Sequence, residues 1–74
     1  MKYIVLEMQT NAEGAVATLV TQKDTLAEAQ SAYYMILAAA AVSQVPYHSA
    51  MLLTNEGILL LSMGFDHREV EENE

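Results

Sequence analysis

The chain contains no cysteine and only three basic residues among its 74 residues. Without cysteine it can form neither a disulfide nor a thiolate zinc site. The two histidines, His48 and His67, are too few for a structural metal site unless several carboxylates join them. Ten acidic residues set the formal net charge at −7, and no cluster of Lys or Arg is present to neutralise nucleic-acid phosphates or anionic lipids. The composition therefore argues against nucleic-acid, membrane-surface, metal and cofactor partners.

Long apolar segments are also missing. The longest uninterrupted apolar run covers residues 32–42, which is 11 residues, whereas a membrane-spanning helix needs about 20. The N-terminal segment has neither the apolar stretch nor the small-residue cleavage site of a signal peptide. These features predict a cytoplasmic protein. Yet 53% of the residues are hydrophobic, which is more than a small monomer easily buries, so we expect a homo-oligomer, with a dimer as the first hypothesis.

Alternating apolar and polar residues predict four strands, at residues 2–10, 15–22, 47–54 and 58–65. Asn-, Glu- and Gly-containing segments at 11–14 and 55–57 predict turns within two hairpins. Between the hairpins, Thr25 and Glu28 have the spacing of a helix capping box, and Pro46 stops the helix after about Ser43 or Gln44. The predicted fold class is α+β, with order ββαββ and an antiparallel four-stranded sheet with one helix packed on one face.

The domain is predicted to cover residues 1–65. The fourth strand is almost entirely apolar, which predicts burial on both of its faces. Residues 66–74 hold five of the ten acidic side chains and one arginine, and this composition predicts a disordered, solvated tail.

The helix has two apolar sides. One side is predicted to pack on the sheet and holds Leu26, Ala29, Tyr33, Ile36, Leu37 and Ala40. The opposite side is small and apolar past its first turn, and there we predict an oligomer interface formed by Met35, Ala38, Ala39 and Val42. Alanine is also simply a strong helix former, so exposed alanines alone need no partner. Two further modes remain open, in which two sheets join at an edge or pack through their outer faces.

Catalytic chemistry finds no support in the residue spacing. The serines lie in no nucleophile-elbow motif, and the glycines form no phosphate-binding loop. Asp66, His67 and Glu69 are near one another in the predicted tail, where convergence on one point is not expected. His48 is interpreted as a capping or edge residue. Tyr47 and His48 together are the candidates for a polar pocket at a subunit junction.

Two stretches, 3–14 and 33–57, resemble a group of short uncharacterised proteins associated with prophages and genomes of Gram-positive gut bacteria. The matching features are a Gln-Thr-Asn turn, Tyr33 or Tyr34 before the alanines at 38–41, and Val45, Pro46 and His48. The resemblance implies a phage-type accessory or assembly protein and carries no established activity. The segment 63–74 lies outside this pattern.

The sequence thus predicts a small non-catalytic interaction or assembly protein, phage-associated and homo-oligomeric. The alternative is a host-directed inhibitor or ligand sponge whose pocket lies at the subunit junction.

Overall fold

Four alternating segments form the strands of one antiparallel sheet, and the alanine-rich segment forms the helix that covers one face. The computed structural model describes residues 1–68. Its elements, in chain order, are β1 (Tyr3–Thr10), β2 (Val16–Lys23), α1 (Leu26–Ala41), β3 (Tyr47–Thr54) and β4 (Leu59–Asp66). The predicted ββαββ order and α+β class are confirmed. The helix ends at Ala41, two or three residues earlier than predicted, with Val42 as its C-terminal cap.

The strand order across the sheet is β2-β1-β3-β4. Each hairpin pairs its own two strands, and β1 pairs with β3 to join the hairpins at the centre. The chain passes from edge strand β2 through α1 to β3 and so crosses above β1. β1 and β3 are the central strands, and β2 and β4 are the two edges.

The two hairpin loops use side-chain oxygens to hold their backbones. In the first loop, Asn11 Oδ1 accepts hydrogen bonds of 2.9 Å from the backbone N–H groups of Glu13 and Ala15. In the second, Thr54 Oγ1 accepts from the N–H groups of two loop residues at 3.2 Å. Gly14 and Gly57 have φ of +89° and +88°, a conformation that glycine adopts without strain. Both predicted turns are confirmed.

The core lies between α1 and the helix-facing side of the central strands. Val5 of β1 and Leu52 of β3 are fully buried there against Tyr33 and Leu37 of the helix. Alanines occupy the tightest positions, because their small side chains let the helix lie close to the sheet. These fully buried alanines are Ala29, Ala40 and Ala50. The predicted sheet-facing side of the helix is confirmed except at Leu26, which is exposed.

The prediction that β4 is buried on both faces is wrong. β4 is an edge strand, and Leu59 and Met63 remain 52% and 51% exposed. One helix is too narrow to cover four strands, so within residues 1–68 the apolar side chains of β4 have no complete cover.

The boundary predicted between domain and tail is also shifted. Asp66 is the last residue of β4, so the folded domain extends past residue 65. The backbone N–H of His67 donates to the carbonyl of Pro46 at 2.7 Å, and Arg68 Nη2 donates to Asp66 Oδ2 at 2.5 Å. The rest of the predicted tail, 69–74, lies outside the described residues.

The first turn of α1 depends on Thr25. Its hydroxyl oxygen accepts the N–H of Glu28 at 3.2 Å, as the capping pattern predicted. We expect Thr25→Ala to lower the free energy of unfolding by about 1 kcal/mol, measured by urea denaturation at fixed protein concentration. Thr25→Ser keeps the hydroxyl and should lose much less. Equal losses in the two variants would show that the cap is not the source of the effect.

Candidate interaction surface

Within residues 1–68, no helix or strand packs on the face of the sheet opposite α1. Because side chains alternate along a strand, the residues between the buried positions Val5, Ala50 and Leu52 point away from the helix. We call this surface the outer sheet face. Its positions, given by the pairing register, are Ile4, Leu6, Met8, Thr10, Val16, Thr18, Val20, Gln22, Tyr47, Ser49, Met51, Leu53, Leu59, Ser62, Gly64 and Asp66.

The centre of the outer sheet face is apolar. Leu6 of β1 pairs with Val20 on one side and Met51 on the other, and the neighbouring row aligns Ile4 with Leu53. Leu6, Met51, Ile4 and Leu53 are only half-buried, and Val20 is 60% exposed. They shield one another along the strands, but within residues 1–68 no other element lies over them.

Charge is confined to one corner of this face. Among its strand positions the single ionisable acid is Asp66, and that carboxylate is paired with Arg68. This pairing holds the pKa of Asp66 at about 2, below its usual 3.8. The Arg68 guanidinium also lies 5.5 Å from the centre of the Tyr47 ring, a cation–π contact. An extended apolar surface with a polar rim is typical of a protein contact site.

The predicted helix interface is exposed, and it lies next to β2. Met35 and Val42 are 70% and 82% exposed, and Ala38 and Ala39 are exposed as well. Met35 lines a shallow depression together with Gln22 of β2. At 100° per residue, Ala39 lies on the same flank of the helix as Met35. The helix interface therefore stays a prediction, on a surface that is open to a partner.

His48 is the centre of a hydrogen-bonded chain that sequence reasoning missed. Its Nε2 donates to Glu7 Oε2 at 2.6 Å, and its Nδ1 lies 3.1 Å from the hydroxyl of Ser43. Gln9 Nε2 donates to the same Glu7 oxygen at 3.1 Å. His48 is only 4% exposed. The prediction that His48 is an edge or capping residue is wrong, because β3 is a central strand and the ring points under the helix.

The chain Ser43–His48–Glu7 has the residue types of a hydrolase triad, but its geometry is that of a structural clamp. With Nε2–H donated to the carboxylate, the other ring nitrogen, Nδ1, faces the Ser43 hydroxyl. The ring is buried, and none of the three residues lines the depression beside Tyr47. The hydrogen bond from His48 lowers the pKa of Glu7 from 4.5, against the opposing effect of burial. The clamp ties the end of the helix to β3 and β1.

Tyr47 and His48 are not brought together, because consecutive strand residues point to opposite faces. Tyr47 lies at the rim of the outer sheet face and lines a depression of about 480 Å³ with residues of the first hairpin loop, Gln44, His67 and Arg68. His48 does not line it. The depression is open to solvent. It stays a candidate for the predicted pocket at the subunit junction, with Tyr47 as a lining residue and His48 excluded from the lining.

His67 has a structural role that the tail interpretation missed. Its Nε2 donates to the carbonyl of Ala40 at 2.8 Å. The last turn of the helix contains no basic residue, and helix-terminal carbonyls need donors from outside the helix. His67 supplies one, from 27 residues further along the chain.

Metal ligation and membrane crossing have no structural counterpart in residues 1–68. No group of three or more His, Cys, Asp or Glu side chains there is arranged to hold a metal ion. The one helix of that part of the chain falls short of the length and apolar character needed to cross a bilayer. No family model, curated protein or solved structure matches the chain.

Proposed function

We propose that this chain is a small non-catalytic interaction protein that assembles with further copies of itself through the outer sheet face. The observation that carries the proposal is the apolar, almost uncharged centre of that face around Leu6 and Met51. The resemblance to prophage-associated proteins supports an accessory or assembly role in a phage setting.

The size of the outer sheet face supports a stable contact. Four strands about 4.8 Å apart and eight residues long, at about 3.3 Å per residue, span roughly 19 Å by 26 Å. Each copy then contributes about 500 Å², and the pair buries about 1,000 Å² in total, which reaches the lower bound for a specific interface. Two such faces pack about 10 Å apart as the layers of a β-sandwich.

The charge distribution supports a second copy as the occupant. Two molecules with a net charge of −7 repel each other wherever their acidic side chains meet. The centre of the outer sheet face carries none, so two identical faces can meet there without placing like charges together. A two-fold contact of this kind uses the same patch on both molecules.

The substitution Leu6→Glu tests the proposal. It places two carboxylates at the centre of the contact, and we expect the mass measured by light scattering to fall to half that of the unmodified protein. Ala27→Glu adds the same charge at an exposed position in the first turn of α1 and should leave the mass unchanged. Circular dichroism checks that both variants stay folded. If folded Leu6→Glu keeps the mass of the unmodified protein, the outer sheet face is not the contact.

A second candidate function is ligand binding in the depression beside Tyr47. The favouring observation is that an aromatic ring, a guanidinium and the amides Asn11 and Gln44 line one cavity at the rim of the outer sheet face. Such a mixture suits a small polar ligand held at a subunit junction. A thermal-shift screen of small anions and nucleotides tests it, with Tyr47→Ala as the variant in which any shift should disappear.

A further inference from the structure

β2 is an edge strand that lacks the protection such strands usually carry. Its residues from Val16 to Gln22 have no charged side chain and no proline. All eight residues of the strand pair with β1 in one register, with no bulge. Leu19 points to the helix side of the sheet but is 62% exposed, so α1 leaves this position of β2 uncovered. Natural edges are normally blunted by charges, proline or bulges.

The other edge is protected. β4 contains a register shift opposite Leu52 and Leu53, and its end carries the ion-paired Asp66. A bulge bends an edge away from further pairing. The two edges of one sheet therefore differ, and only β2 offers a long regular edge.

The free backbone groups of β2 can be assigned from the ladder. Asn11 N–H donates to the carbonyl of Ala15, and Asn55 N–H donates to the carbonyl of Lys2. In an antiparallel ladder the residues that exchange hydrogen bonds with one neighbour alternate along the strand. Extended along each ladder, both hydrogen bonds imply that the odd-numbered residues of β2 are the ones that bond to β1. The even-numbered residues present their N–H and C=O groups outward, and these residues are Val16, Thr18, Val20 and Gln22.

We propose that β2 pairs antiparallel with β2 of a second copy, with Leu19 at the two-fold axis. This register sets Val16 opposite Gln22 and Thr18 opposite Val20, so that all four outward residues of each strand bond to the partner strand. If the register is moved by two residues, one of the four outward residues of each strand has no residue opposite it on the partner strand. The two four-stranded sheets become one eight-stranded sheet with both helices on the same side.

Charge and helix placement both favour this partner. The strand carries no charge between Val16 and Gln22, so two acidic chains meet without repulsion at their backbones. Across the axis, the two Leu19 side chains form a close cross-strand pair, which reduces their exposure. Met35 of α1 lies beside Gln22, at one end of the same edge strand. One contact thus covers the open edge and Leu19, and faces part of the predicted helix interface.

This edge contact is separate from the outer-face contact of the proposed function. Its two-fold axis is perpendicular to the sheet, whereas the axis of a face-to-face pair lies parallel to the sheet. Perpendicular two-fold axes that intersect generate a closed tetramer. Each contact can therefore fail without the other.

Cysteine crosslinking tests the register, because the chain has no cysteine of its own. In the proposed register, residues 19 of two copies have Cα atoms about 4.5 Å apart, within the range of a disulfide. Residues 21 of two copies are roughly 14 Å apart, by about 3.3 Å per residue along the strand, and cannot be bridged. We expect Leu19→Cys to form a covalent dimer on mild oxidation and Thr21→Cys to stay a single chain on a non-reducing gel. Equal crosslinking of the two variants would overturn the register.

A proline variant tests the edge itself. Thr18 N–H points outward and is not used within residues 1–68, so Thr18→Pro is compatible with the fold at an edge strand but removes a bond to the partner. We expect its mass by light scattering to halve, while Thr18→Val, which keeps the N–H, retains the mass of the unmodified protein. If Thr18→Pro retains that mass and Leu6→Glu does not, the outer face forms the assembly alone and the edge proposal is wrong.

Discussion

Replacing Leu52 by alanine is expected to lower the free energy of unfolding by about 3 kcal/mol. Leu52 is fully buried on central strand β3, against Val5 and the helix. Truncation of such a leucine removes its burial energy and leaves a cavity, at a cost of about 2–5 kcal/mol. A domain of this length has roughly 4–11 kcal/mol of total stability, so the variant should approach the limit of folding.

Leu26→Ala is the matched control for this prediction. Leu26 is the first residue of α1 and is 39% exposed, so the same chemical change should cost below about 1 kcal/mol. Urea denaturation at one protein concentration measures both variants, since assembly makes apparent stability depend on concentration. Similar losses at the two positions would contradict the core placed here between helix and sheet.

Replacing His48 by alanine is expected to cost about 2–4 kcal/mol. The substitution removes the hydrogen-bond donor to Glu7 and leaves a largely buried carboxylate with Gln9 as its remaining side-chain partner. Leaving a buried charged acceptor without its partner is more costly than losing an ordinary hydrogen bond. His67→Ala removes a histidine with one hydrogen bond at an exposed position, and should cost about 1 kcal/mol. Denaturant unfolding of both variants at pH 7 separates the two roles.

The same clamp should make stability depend on pH. The hydrogen bond from His48 keeps the pKa of Glu7 below 4.5 in the folded protein. Ionised Glu7 therefore stabilises the fold above pH 4.5, and that contribution is lost as the pH falls through the folded-state pKa. We expect Glu7→Gln to lose less stability than the unmodified protein between pH 5 and pH 3, measured by urea denaturation. Parallel pH profiles would show that Glu7 is not coupled to His48.

Much of the fold could be predicted because its determinants are local. Alternation of side chains specifies each strand, the Thr25 cap starts the helix, and Asn11 and Gly14 form the first turn. The side of the helix that packs on the sheet was predicted from the helical spacing of its apolar residues. The same period placed Met35 on the exposed side, where the structure has it.

The candidate site depended on information that is not local. The contact between His48 and Glu7 joins residues 41 positions apart, and nothing in either neighbourhood specifies the other. The misjudged burial of β4 has a related cause, since an apolar strand looks the same whether its cover comes from its own chain or from another. Strand order decides which strands are edges, and no local pattern contains that order.

The mass of the unmodified protein in solution tests the central claim, that this chain works as an assembly of its own copies. Light scattering after size exclusion, over a dilution series, gives that mass directly. We expect a multiple of 8.1 kDa at micromolar concentration, which falls toward 8.1 kDa only on strong dilution. A mass of 8.1 kDa at every concentration would contradict it and leave both the outer sheet face and the β2 edge without their proposed partner.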